Sequence, residues 1–117
     1  MEQIDAITAL AALAQENRLD VFRLLVQAGL DGLPAGEVAR LLAIAPNTLT
    51  FHLDRLRQAG LISVRRDGRS MIYTARYETM RGLLAYLSEN CCEGASAKSG
   101  KKSCNPAPVR KRVKERA

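Results

Sequence analysis

The chain has 117 residues, 47% of them apolar, which fits one globular domain of ~100 to 150 residues and argues against both wholesale disorder and a two-domain enzyme. It holds no apolar run near the ~18 residues of a membrane span, and it opens Met1-Glu2-Gln3-Ile4-Asp5, acidic where a signal peptide is basic, so a cytoplasmic protein is expected. The formal charge of +6 is unevenly spread: residues 93 to 117 carry eight Lys or Arg against Glu93 and Glu115, while residues 1 to 92 balance ten Arg against ten acids.

Ile4, Ile7, Leu10 and Leu13 recur every three residues among alanines, which predicts a helix over residues 2 to 14 with one apolar side. Asn17 followed by Asp20 resembles a capping box that opens a second helix, with Val21, Phe22, Leu24 and Leu25 apolar and Gly29 as its stop. Residues 30 to 33, with Asp31 and Gly32, read as a turn, and Pro34 suits the start of a short helix bearing Val38, Leu41 and Leu42. That helix should end near Ala43, and Pro46 should start another. Its Leu49, Leu53 and Leu56 share one face, and Gly60 closes it.

After Gly60 the period becomes roughly alternating. Residues 61 to 66 and 69 to 75 are rich in β-formers around Asp67-Gly68, a pair that supplies the positive φ of tight hairpin turns and leaves Arg65, Arg66 and Arg69 near the tip. From Tyr77 the helical period returns with Met80, Leu83, Leu84 and Leu87, ending at Asn90-Cys91-Cys92. Beyond Gly94 the composition shifts to Ser, Ala, Lys, Gly, Pro and Arg, and a flexible tail is expected there. The predicted organisation is therefore a folded domain over 1–92 and a basic tail over 93–117 that carries the last cysteine.

Helix, tight turn, helix and a hairpin with Arg at its tip is the order of a winged helix-turn-helix, a mainly α fold with a small β-hairpin. Charge agrees with it. Residues 1 to 45 hold three Arg and six acids, whereas residues 46 to 76 hold six Arg and two acids. Such a basic patch on a neutral body is the footprint of a nucleic-acid binder, a merely solvated face being the alternative. With the three leucines inward, Asn47, Phe51, Arg55 and Gln58 turn outward, flanked by Thr48 and Asp54. Asn suits adenine, Arg suits guanine, and the Phe51 ring suits a thymine methyl, unless that ring packs on the wing or a neighbouring helix. Arg66 and Arg69 suit phosphates or a narrow minor groove, or serve solubility alone. The basic tail either adds non-specific phosphate attraction or has no partner.

Cys91, Cys92 and Cys104 all lie at or after the last helix. An odd, cytosolic set argues against a disulfide framework. Zinc normally takes four ligands, often with His, whereas three thiolates and nothing harder match As(III) or Sb(III); reactive or incidental thiols are the alternative. A thiol enzyme would need a Cys beside a base or a helix N-terminus, and this pair follows a helix C-terminus, so no enzyme is expected. A metallochaperone would use the same cysteines but has no need of a basic wing. The apolar residues of the first and last helices exceed what one small domain needs, and the excess is assigned to a two-fold dimer interface, which makes the 1–92 domain one for DNA binding and dimerisation.

Two stretches carry a family resemblance. Leu13 through Asn17-Arg18 to Phe22-Arg23-Leu24-Leu25, and then residues 50 to 62 (Thr50-Phe51-His52-Leu53-Asp54-Arg55-Leu56-Arg57-Gln58-Ala59-Gly60-Leu61-Ile62), resemble the ArsR/SmtB family of metal-sensing repressors over residues 5 to 92. The resemblance implies a homodimeric repressor that binds double-stranded operator DNA. It also places Thr50 and His52 at the family's Ser-x-His positions, where they contact DNA or steady the helix. His52 is thereby read as structural or phosphate-contacting rather than as a metal ligand.

Residues 86 to 92 are similar to the arsenic-responsive ArsR branch, whose site is a Cys-Cys pair after the C-terminal helix plus a third downstream Cys. The chain departs from the better-known arrangement in having no cysteine on residues 34 to 42, and eleven residues separate Cys92 from Cys104. The implied inducer is As(III) or Sb(III), with no organic cofactor. Its gathering of Cys91, Cys92 and Cys104 is expected to displace the end of the dimer helix and release DNA. A sensor of oxidants, persulfide or another soft metal through the same thiols is the alternative.

Overall fold

The computed structural model describes residues 1–94. Residues 1–87 form one compact unit and residue 88 opens a second, and each is described by itself. The third predicted thiol, Cys104, and most of the basic tail lie outside the described residues.

Helix α1 (Gln3–Leu13) buries Ala6 and Ala9 and leaves Ile4, Ile7 and Leu10 exposed. The apolar stripe predicted from the three-residue spacing thus faces outward, because the small alanine side gives the closer approach to the body. Helix α2 (Glu16–Ala28) starts earlier than the Asn17 pattern suggested: the Gln15 side chain is its cap, accepting the Arg18 N–H at 2.9 Å. Arg18 in turn donates from Nε to the Ala12 carbonyl at 2.7 Å, which ties the end of α1 to the start of α2. Val21, Phe22 and Leu25 of α2 join the core.

A 3-10 turn (Gly29–Asp31) leads to a two-residue strand β1 (Leu33–Pro34), followed by α3 (Ala35–Leu42) and α4 (Pro46–Gln58). The stretch read as a plain turn therefore contains a strand. Gly32 allows it: its φ is +69°, and a Cβ there would stand 2.5 Å from the Tyr73 carbonyl oxygen and from Thr74 Cγ2. Only glycine tolerates both the left-handed backbone and that approach.

Both helices of the helix-turn-helix end in the same hydrogen-bonded cap. Ile44 N–H donates to the Ala39 carbonyl and Ala43 N–H to the Arg40 carbonyl, with Ala43 at φ 54°; this is a Schellman motif with alanine in the position that usually carries glycine. At the end of α4, Leu61 N–H donates to Leu56 and Gly60 N–H to Arg57, with Gly60 at φ 78°. Leu56 and Leu61 are both fully buried, as the apolar contact of that motif requires. The Ala-Gly-Leu sequence is thus the device that stops α4 and aims the chain into the hairpin.

Strands β2 (Ile62–Asp67) and β3 (Ser70–Ala75) pair antiparallel from Ile62 with Ala75 to Asp67 with Ser70, and β1 pairs with the other edge of β3. The predicted hairpin is present within a three-stranded sheet, but its loop is Gly68-Arg69 rather than Asp67-Gly68. Gly68 has φ 65°, the positive value that two-residue loops with glycine at the first central position need. Helix α5 (Tyr77–Ser88) follows, and its Tyr77 hydroxyl donates to the Val26 carbonyl at 3.1 Å.

Leu83 is buried in the chain's own core, with Tyr77 and Met80 packed partly against it. Of the five α5 residues assigned to a dimer face, only Leu84 and Leu87 remain exposed. Among the described residues no helix is long and apolar enough to cross a membrane.

Candidate nucleic-acid interface

Burial along α4 divides the helix sharply. Leu49, His52, Leu53 and Leu56 are buried, whereas Asn47, Thr48, Thr50, Phe51, Asp54, Arg55, Arg57 and Gln58 are exposed. The predicted outward face is therefore present, with one correction. His52, expected beside the buried stripe as a structural or phosphate-contacting residue, is only 6% exposed and lies with Leu49 and Leu53 on the inward side. Its Nδ1 has no hydrogen-bond partner among the described residues, and burial, with the Arg18 charge adding to it, pushes its pKa below the usual value of 6.5. Its burial among the inward residues makes it a packing residue of α4.

Thr50 donates its hydroxyl to the Pro46 carbonyl at 3.0 Å, leaving the oxygen's lone pairs outward. Phe51 is 53% exposed, which settles the choice left open by the sequence: the ring is not buried against the wing or another helix. It meets the edge of the His52 ring at a centroid distance of 5.7 Å and carries the Arg55 guanidinium 5.2 Å from its centroid. The other arginine of α4, Arg57, is ion-paired with Asp54 at 3.3 Å.

On the wing, Arg66 and Arg69 are exposed near the loop. Arg65 is directed elsewhere: it donates to the Asp31 carbonyl at 3.0 Å and the Leu30 carbonyl at 3.4 Å. It clamps the wing to the 3-10 turn. Sequence reasoning grouped Arg65 with the tip because all three arginines cluster in the chain; a partner 34 residues away leaves no local signal. Arg18, the strap between α1 and α2, reaches a carbonyl only six residues away, and a backbone acceptor carries no signature in the side-chain sequence.

In the second unit, Cys91 and Cys92 follow the end of α5, with Cys91 N–H donating to the Ser88 carbonyl at 2.9 Å. Asn90 and Cys92 have positive φ, so the chain turns tightly around the pair. The two sulfurs are 3.5 Å apart. Cys91 is an exposed free thiol, whereas Cys92 is in the disulfide state and needs reduction before it can act as a ligand. Among the described residues no group of three or more His, Cys, Asp or Glu is gathered to hold a metal.

Comparison with known proteins agrees with this geometry. Residues 13–65 match the model of a helix-turn-helix domain. The transcriptional regulator YgaV of Escherichia coli is 30% identical over 87 residues, spanning 74% of this chain and 86% of that protein. An ArsR-like transcriptional regulator from Rhodococcus superposes with a TM-score of 0.70 at 22% identity, covering 82% of this chain and 88% of that one. The homodimeric winged helix-turn-helix DNA-binding domain of Mb0332 from Mycobacterium bovis superposes with a TM-score of 0.60 at 24% identity, covering 77% and 83%. The chain thus belongs to the helix-turn-helix transcriptional regulators, on the winged helix-turn-helix fold that ArsR-like regulators share.

Proposed function

We propose that the protein is a metalloid-responsive repressor of the ArsR type, which binds operator DNA as a homodimer and releases it when As(III) or Sb(III) is taken up by Cys91, Cys92 and Cys104. The DNA-binding half is supported by the outward face of α4, where Asn47, Thr48, Thr50, Phe51 and Arg55 stand exposed, and by Arg66 and Arg69 on the wing. The homodimer is supported by the exposed Ile4, Ile7 and Leu10 of α1 and Leu84 and Leu87 of α5, and by the homodimeric state named for the Mycobacterium domain. Two α4 helices related by a two-fold axis would address half-sites about one DNA turn apart.

The observation that carries the sensing half is the adjacent sulfur pair, 3.5 Å apart directly after the helix that bears Leu84 and Leu87. Binding there would reshape the end of α5 and alter the spacing of the reading helices. A coupling of about 1 to 3 kcal/mol is usual for such switches, a roughly 5- to 150-fold change in affinity that operates equally in both directions. A second reading, a thiol redox sensor on the same scaffold, would use the same sulfurs, of which Cys91 is an exposed free thiol. A metallochaperone is the reading from another class, and it leaves the α4 face without a purpose.

The test is an anisotropy titration of the full chain, reduced beforehand, on the promoter of its own gene, with arsenite, zinc, cadmium and peroxide compared. Arsenite should weaken binding at least about fivefold, and Cys91→Ser should keep DNA binding and lose the response. Release by peroxide alone would establish the redox reading, and equal arsenite affinity for free and DNA-bound protein would end the metalloid one.

A further inference from the structure

Resting on the DNA-binding reading, we infer that Phe51 and Arg55 form one composite reader that recognises a thymine next to a guanine in each half-site. The two side chains lie one helical turn apart on the exposed face of α4. They are already assembled without DNA, the guanidinium standing 5.2 Å from the ring centroid. Each has a neighbour that favours this arrangement. The Phe51 ring rests against the edge of His52, whose own ring is buried. Arg55 has no carboxylate partner among the described residues, in contrast to Arg57, which Asp54 engages. The guanidinium is therefore held in place by the ring but keeps its hydrogen-bond donors unspent.

The chemistry of the pair fixes what it can read. A guanidinium donates two parallel hydrogen bonds to guanine O6 and N7, and an apolar ring surface complements the thymine C5-methyl, the one apolar group in the major groove. Bases along one strand rise ~3.4 Å per step, so two groups 5.2 Å apart reach neighbouring bases and not distant ones. Pre-stacking also removes part of the entropy lost when a free arginine is ordered on a base. A lone arginine would read guanine in any context; the stacked pair favours a guanine that has a methyl beside it.

The experiment begins with selection of duplexes from a randomised library by the full chain, followed by base-analogue substitution in the enriched sequence. Replacing thymine by uracil removes only the methyl group. One thymine per half-site should lose roughly fourfold in affinity on that change, and the adjacent guanine should lose about tenfold as 7-deazaguanine. Phe51→Ala should bind the uracil and thymine duplexes equally, while Phe51→Leu retains part of the preference. Both variants alter an exposed residue, and circular dichroism checks their fold. Uniform indifference to uracil, or a sensitive thymine with no guanine beside it, overturns the composite reader and leaves DNA binding intact. Failure to enrich any duplex overturns both.

Discussion

His52 is polar in sequence and apolar in surroundings, and its position makes acid a specific stress on the reading helix. Burial and the nearby Arg18 charge lower its folded-state pKa, so the unfolded chain binds the proton more readily than the folded one. The contribution to stability is complete above the unfolded value near 6.5. It is lost as the pH falls from there through the lower folded value. The unpartnered Nδ1 adds a desolvation cost of ~1 to 3 kcal/mol at any pH. His52→Leu, which fills a similar volume, should therefore stabilise the protein by about 1 kcal/mol at pH 8, and by more at pH 5. Thermal melts of both proteins at the two pH values measure this; a difference that stays constant, or shrinks in acid, would refute the buried-imidazole account.

The wing separates arginines that look alike in sequence into two roles. Arg65 holds backbone carbonyls of the 3-10 turn, so Arg65→Ala should lower stability by about 1 kcal/mol and weaken DNA binding while leaving its salt dependence unchanged. Arg66→Ala and Arg69→Ala should leave stability alone and reduce the slope of log affinity against log salt by ~0.9 for each phosphate that is no longer neutralised. Salt titrations on one duplex distinguish the two, and an equal slope change for all three would show that Arg65 is a phosphate ligand after all. The contrast marks what was legible beforehand. The leucine spacing of α4, the Pro46 start and the Gly60 stop are local patterns, and the helix they predicted is the helix observed. The Leu33–Pro34 strand and the Arg65 clamp depend on partners brought near by the fold, so no window of the sequence contained them, whereas the Arg18 strap spans only six residues but ends on a backbone carbonyl, which no residue type marks. The inward turn of His52 lay between the two: one more step of the same 100° wheel that placed Leu49 and Leu53 would have put it with them.

At the scale of the molecule, exposed large apolar side chains among the described residues are most frequent on α1 and α5. Met1 Cε lies 3.6 Å from where a Gly82 Cβ would stand, so the residue that leads into α1 touches α5 at Gly82. Five large apolar side chains left exposed on these two helices, Ile4, Ile7, Leu10, Leu84 and Leu87, are what a two-fold partner would cover. In a two-fold dimer each of these side chains is buried twice, once from each copy. A charge placed there is therefore desolvated twice over, whereas in the single chain it simply faces water. Ile7→Glu or Leu87→Glu should thus keep the fold and raise the dimer dissociation constant roughly 100-fold, equivalent to about 2.7 kcal/mol. Affinity for a two-half-site duplex should fall with it, while affinity for an isolated half-site should not. Leu30→Glu serves as the control, since Leu30 is 77% exposed but belongs to neither helix. Sedimentation velocity across a concentration series reads the outcome directly: a Leu87→Glu protein that remains dimeric, or a Leu30→Glu protein that dissociates, would move the interface away from α1 and α5.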